Sequence, residues 1–319
     1  MAKENNENIK KLKGVHALEG VDRFNRVSQP ANILLNLIFA AMAAACVIPV
    51  LLVISISLSD ENSITQYGYR FIPKIFSSEG YKFLVERSSL ITRALGVSLF
   101  VTIVGTILGV TLTTLMGYVL SRKTFKLHGF LTILIFIPMV FNGGLVSSYF
   151  VTRQFLRLGD TIWVLILPLM VSSFNVIVAR TFFTTTIPDE LIESAKMDGA
   201  TQFIIFARIV MPVSLPVIAT IALFLSFGYW NDWYQSMLYI DNNRLLSLQA
   251  LLNEILTNIQ MLASMASQLG AAAAEQIANM PRESARMAVV VVIVLPIACA
   301  YPFFQKYFIS GLTVGAVKG

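Results

Sequence analysis

Apolar runs of membrane-spanning length, separated by short polar segments, set the pattern of this chain. A crossing takes about 20 mostly apolar residues. Six segments reach that length: 33–58, 94–120, 129–150, 161–183, 213–238 and 287–305. They predict an all-α membrane protein with six transmembrane helices. A further stretch, 255–274, is free of charge but holds the polar residues Asn258, Gln260, Ser264, Ser267 and Gln268, and is not expected to cross. Leu248, Leu251, Leu252, Ile255, Leu256 and Ile259 recur there at helical spacing, the pattern of an amphipathic helix lying on a surface. Six crossings also leave both chain ends on one side. The organisation expected is a tail over 1–32, a membrane domain over 33–309 with outer loops 59–93 and 239–286, and a second tail over 310–319.

Between the fourth and fifth runs, residues 186–212 are polar and charged. Thr186 is the expected N-cap of a helix there, and Pro188 fits a first turn, where its missing N–H costs little. Asp189 and Glu190 place negative charge beside the positive end of the helix macrodipole. Asp198-Gly199 should break the helix as a turn pair. A second short helix is expected to stop before Pro212. On the first helix Leu191, Ile192 and Ala195 share one face, while Glu193 and Lys196 point elsewhere.

Composition sharpens this picture. Of 319 residues, 56% are hydrophobic and 13% charged, against about 25% charged in soluble domains. Mean hydropathy is +0.71. The net charge of +6 reads as topology and not as nucleic-acid affinity, because the basic residues cluster at the ends of apolar runs. Lys3, Lys10, Lys11, Lys13, Arg23 and Arg26, with Arg122, Lys123 and Lys126, put the N-terminal tail and 186–212 in the cytosol. Arg70, Lys74, Lys82, Arg87 and Arg93 on the opposite side make that bias modest. No cleavable signal peptide is expected, since the first apolar run is too long for one. Cys46 and Cys299 lie in apolar runs and His16 and His128 form no cluster, so no disulfide, metal or cofactor site is expected.

No Asp, Glu, Lys or Arg occupies the middle of any of the six runs. Such a group costs about 2.5–3.5 kcal/mol at a helix centre and is normally functional where it occurs. Ion-coupled carriers commonly need one, so its absence weighs against that class, which stands as the alternative. The chain has no G-x-x-x-x-G-K-[ST] phosphate loop and no nucleophile with a base in place. It is not expected to be an enzyme.

Gly105 and Gly109 form a G-x-x-x-G on the second run, and Ala40, Ala41, Ala43, Ala44 and Ala45 smooth the first. Pro49, Pro138, Pro168 and Pro296 should kink their helices or free backbone carbonyls. Tyr229, Trp230, Asn231, Asp232, Trp233 and Tyr234 alternate ring faces with hydrogen-bonding groups. Such a mixture suits a sugar, and equally a membrane-interface belt. Asn142, before Gly143 and Gly144, would add polar lining or a turn.

Residues 188–212 resemble the EAA signature of the membrane subunits of binding-protein-dependent ABC importers: Glu-Ala-Ala, three residues, Gly, nine residues, Ile-x-Leu-Pro. Glu193, Ser194 and Ala195 are followed by Gly199, then by Ile209, Val210, Met211 and Pro212. Ser194 and Met211 depart from the pattern but keep its spacing. Trp230-Asn231-Asp232-Trp233-Tyr234, Arg244 to Gln249, Glu283 to Ala288 and Gln305 to Gly319 are similar to maltose-type and oligosaccharide permeases. The resemblance implies the type I importer fold in a bacterial cytoplasmic membrane, with both termini cytoplasmic. It implies a coupling loop that docks on an ATPase through Glu190, Glu193, Ser194, Ala195, Asp198, Gly199, Ala200, Ile209 and Pro212. It implies as partners a second permease, two ATPase copies that would hold the ATP and Mg on a separate polypeptide, an external sugar-binding protein and membrane lipid. The cargo would be a carbohydrate, most simply an oligosaccharide, with a non-sugar solute as the alternative within the class.

Overall fold

A computed structural model describes residues 28–86, 88–265 and 281–316, so the basic residues of the N-terminal tail, Arg87, 266–280 and 317–319 lie outside the described residues. The described chain is helical, with one isolated antiparallel bridge between Ser59 and Phe76. Helix α1 is Gln29–Ser57, followed by two short helices, α2 at Glu61–Tyr67 and α3 at Glu79–Val85. The long α4, Ser88–Ser121, comes next. α5 is His128–Val140 and α6 is Gly144–Tyr149, which runs on as a π turn over Phe150–Phe155. α7, Ile162–Ile166, passes through a 3₁₀ turn at Leu167–Leu169 and bends by 48° into α8, Ser173–Thr186. α9 is Asp189–Met197, α10 is Gln202–Val213 and α11 is Leu215–Trp230. Finally come α12 at Tyr234–Tyr239, α13 at Leu248–Met265 and α14 at Arg282–Ala316.

α1 and α4 are each long and apolar enough to cross a membrane, and the bent pairs α7–α8 and α10–α11 each pass as one interrupted span. The expected third span is broken: α5 ends at Val140, and α6 starts beyond a gap at Phe141 to Gly143. Asn142 Oδ1 accepts the Gly144 N–H at 2.8 Å, so this asparagine closes a turn, with Gly144 at φ +81°. The fifth span ends at Trp230, short of 238. The tail expected from 310 begins as helix, because α14 continues to Ala316. Residues 248–265 form the predicted amphipathic helix, with Leu248, Leu251, Leu252 and Ile255 buried and Asn253, Glu254 and Thr257 exposed.

α4 is the helix around which the rest packs. It carries glycine where neighbours come too close for a side chain. A Cβ on Gly105 would lie 2.5 Å from the Tyr229 ring, one on Gly109 2.7 Å from the Met170 carbonyl oxygen, and one on Gly117 2.6 Å from Ala179 Cβ. The G-x-x-x-G is therefore a seat within the chain, against α11 and the α7–α8 bend. α1 is different: most of its side chains are exposed, and only Ser55, Ile56 and Ser57 are buried.

The start of α14 is held from far away in sequence. The buried Glu61 carboxylate accepts the Glu283 N–H at 3.0 Å, the Ser284 N–H at 3.1 Å and the Ser284 hydroxyl at 3.1 Å. It thus caps the free N–H groups of that helix from α2, with negative charge at the positive dipole end. Tyr69 adds a hydrogen bond to Glu283 at 2.9 Å.

Gly105→Ala should destabilise the purified protein by about 1–3 kcal/mol, the ordinary effect of overpacking. Gly228→Ala, with nothing within 4 Å of the added Cβ, should be neutral or slightly stabilising, as expected for a helix interior. Thermal melting in detergent of the two variants side by side checks this. Equal melting temperatures would contradict the packing.

Candidate functional site: the polar hairpin

α9 and α10 form the hairpin predicted from the polar stretch. Its N-cap is Pro188, extended at ψ 143°, and Thr186 instead closes α8. The reason is local: a residue before proline avoids helical angles, so the chain must leave α8 at Ile187. Ile192 and Ala195 are buried as expected, but Leu191 is 39% exposed and belongs to the outer face.

The turn is a Schellman motif. The Gly199 N–H reaches the Lys196 carbonyl at 3.0 Å and the Ala200 N–H reaches the Ala195 carbonyl at 3.0 Å. Gly199 has φ +80° and open space around its Cβ position. Its backbone angle, not crowding, demands glycine here.

The second arm does not stop before Pro212. Thr201 caps it by accepting the Ile204 N–H, and the helix widens to a π turn over Phe206–Val210 before running through Pro212 to Val213. Widening the turn relieves the clash a proline ring makes with the carbonyl behind it. The chain then bends by 83° at Ser214. Of the other signature residues, Ile209 is half-buried and Pro212 exposed.

Tyr118, in the last turn of α4, and Arg122, the residue just after its end, hold both arms. Arg122 Nη1 bonds the Asp189 carboxylate at 2.7 Å, and its Nη2 reaches the Phe183 carbonyl at 3.4 Å. The Tyr118 hydroxyl donates to Gln202 Oε1 at 3.0 Å, and its ring lies 5.3 Å from that of Phe206 and 6.4 Å from that of Phe183. The hairpin's inner face is thus fixed. Its outer face is free: Glu190, Glu193, Ser194 and Asp198 are exposed, as are Met197 at 88% and Phe203 at 72%. Met197 and Phe203 escaped the sequence reasoning. Their signal was present, as apolar residues off the Ile192–Ala195 stripe.

The aromatic residues beyond α11 divide in two. Tyr229 and Trp230 are buried and their donors are used within the chain, Tyr229 on the Ile166 carbonyl at 2.7 Å and Trp230 on the Ile293 carbonyl at 3.2 Å. Asn231, Trp233 and Tyr234 are exposed, with the Trp233 and Tyr234 rings edge to face at 6.0 Å. Asn142 lies in its own turn on another element.

Asp160 joins two loops. Its Oδ1 accepts the Asn242 N–H at 2.9 Å and the Asp241 N–H at 2.7 Å. Those donors, with the nearby Arg153, hold its carboxyl below the ordinary carboxylate value. Arg153 also pairs with Asp241.

The comparisons with known proteins follow the same lines. Residues 109–314 match the family described as binding-protein-dependent transport system inner membrane component. Protein LplC of Bacillus subtilis (strain 168) is 35% identical over 305 residues, 96% of this chain and 99% of that protein. The polygalacturonan/rhamnogalacturonan transport system permease protein YtcP of the same organism is 36% identical, covering 87% of this chain and 94% of that one. A chain of a bacterial ABC transporter involved in the import of the acidic polysaccharide alginate superposes with TM-score 0.74 at 24% identity, over 89% of this chain and 99% of that chain. At that identity the likeness shows the fold.

A depressed carboxyl contributes stability that is present above its unfolded value and lost as pH falls through its folded one. The melting temperature should therefore drop as pH falls below about 4, the unfolded aspartate value. Asp160→Asn should melt lower at neutral pH and lose less over that acid window. An unchanged acid profile in the variant would show that Asp160 does not hold these loops.

Proposed function

The chain belongs to the binding-protein-dependent transport system inner membrane component family, and from that premise we propose that it is a saccharide permease subunit of an ATP-driven importer. In this reading it crosses a bacterial cytoplasmic membrane six times with both termini inside. It forms a path with a second, homologous permease and receives work from two cytoplasmic ATPase subunits. An external binding protein delivers the cargo, and the names of the relatives favour an oligosaccharide or polysaccharide fragment.

One observation carries the proposal: the hairpin is bonded to the body on its inner face and exposed on its outer one. Two exposed apolar side chains, Met197 and Phe203, stand beside the carboxylates of Glu190 and Glu193. This is the make-up of an interface with an apolar anchor and an acidic rim. Gly199, Ala200 and Ala195 set the turn that presents it, and Ile209 and Pro212 set the second arm. Beyond α11, the exposed Trp233 and Tyr234 rings and the Asn231 amide oxygen are the groups left to meet a sugar, the Asn231 amide N–H being bonded to the Phe227 carbonyl at 2.9 Å. Asn142 is less suited, because its amide oxygen is spent on a turn.

Uptake of labelled oligosaccharides into proteoliposomes holding the full complex tests the reading. Gly199→Ala places a Cβ on a left-handed residue at a cost of roughly 1–2 kcal/mol. It should leave insertion and assembly intact, while uptake and substrate-stimulated ATP hydrolysis fall. Collapsing the proton gradient at constant ATP should leave wild-type uptake unchanged. Uptake that stops with the gradient would establish the ion-coupled alternative.

A further inference from the structure

The hairpin is joined to the spans on either side by two bends. Ile187 and Pro188 are extended at its start, with ψ of 105° and 143°. The chain turns 83° at its end. Neither covalent link fixes its tilt. Besides the apolar packing of its inner face, side-chain hydrogen bonds hold it to the end of α4, through Tyr118 on the second arm and through Arg122, the residue just past Ser121, on the first.

α4 is suited to carry that tilt onward. It runs 34 residues from Ser88 to Ser121 with no proline, whereas α1, α5 and α14 each contain at least one. Near its far end, the buried Ser98 hydroxyl oxygen accepts the Leu248 N–H at 2.8 Å and so holds the first turn of α13. From Ser98 to the end of α4 at Ser121 the helix spans about 35 Å at a rise of about 1.5 Å per residue.

We propose that α4 is the transmission shaft of this subunit. Arg122 and Tyr118 are positioning residues that take up hairpin displacement, and Ser98 passes it to the outer amphipathic helix. The inference rests on the reading of the hairpin as the ATPase-facing element. The Asp189 side chain is 83% exposed and that of Arg122 only 11%. A pair so placed adds at most about 1 kcal/mol to stability. Its role lies in geometry, so coupling should be separable from folding.

The test uses the complete complex, with both permeases, the ATPases and the binding protein, in proteoliposomes. Arg122→Gln, Asp189→Asn and the double variant are compared for melting temperature, and for the ratio of stimulated to basal ATP hydrolysis across a titration of liganded binding protein. Each single variant should melt near wild type yet lose about fivefold or more in maximal stimulation, the lower range of an allosteric coupling. The half-stimulating concentration should not move, and the double variant should lose no more than either single one. Full stimulation in the single variants, additive losses, or a shifted half-stimulating concentration would overturn the shaft. If Arg122→Gln fails to assemble, Asp189→Asn decides alone. A wild-type preparation that binds no ATPase would defeat the importer reading instead, which keeps the two failures apart.

Discussion

A helix that breaks inside an apolar environment leaves carbonyl and amide groups that only the protein can satisfy. That constraint organises this chain, because its spans are interrupted repeatedly. The 3₁₀ turn at Leu167–Leu169 takes the helix away from the Ile166 carbonyl, and the Tyr229 hydroxyl fills the place. Pro296 opens the last helix one turn beyond Ile293, whose carbonyl takes the Trp230 indole N–H. The C-terminal carbonyls of α8 and α4 are met by guanidinium groups, Arg122 on Phe183 and Arg180 on Leu120 at 3.3 Å. At the other end Glu61 serves the amides of α14. Several polar and aromatic residues among those described are thus spent on the chain's own backbone.

This accounts for what was legible in the sequence and what was not. Hydropathy located the helices, because length and apolarity are properties of a segment by itself. The hairpin was legible for the same reason, since the Schellman turn at Gly199 closes within five residues. What escaped were long-range partners. Glu61 stands 222 residues before the amide it caps, and nothing around it announces that role. Tyr229 and Trp230 look alike to Trp233 and Tyr234 in composition, yet only the fold reveals which pair faces inward. The turn at Asn142 was one reading of that site, yet the third span was drawn through it, because an interrupted span and an intact one share nearly the same average hydropathy.

Two glycines show how one residue type serves unlike ends. Gly199 is chosen for its backbone, with empty space where a side chain would go, whereas Gly105 sits in an ordinary helix and is chosen for the ring pressed against it. The distinction has mechanical content. A glycine needed for φ marks a shape that is presented outward. A glycine needed for contact marks two helices that must move together.

Stiffness follows from the same accounting. Helices bend where prolines or missing hydrogen bonds let them, and here those sites fall on α1, α5, the α7–α8 pair, the α10–α11 pair and α14. α4 has an uninterrupted ladder, and its close contacts with α8 and α11 run through Gly117 and Gly105. In a close-packed bundle a displacement is borne by whichever element resists bending, while jointed ones accommodate it. On the proposal that α4 is the shaft, a load on the hairpin would reach the far side through this helix, which among the described residues has no joint, and the broken spans around it would supply the freedom to rearrange.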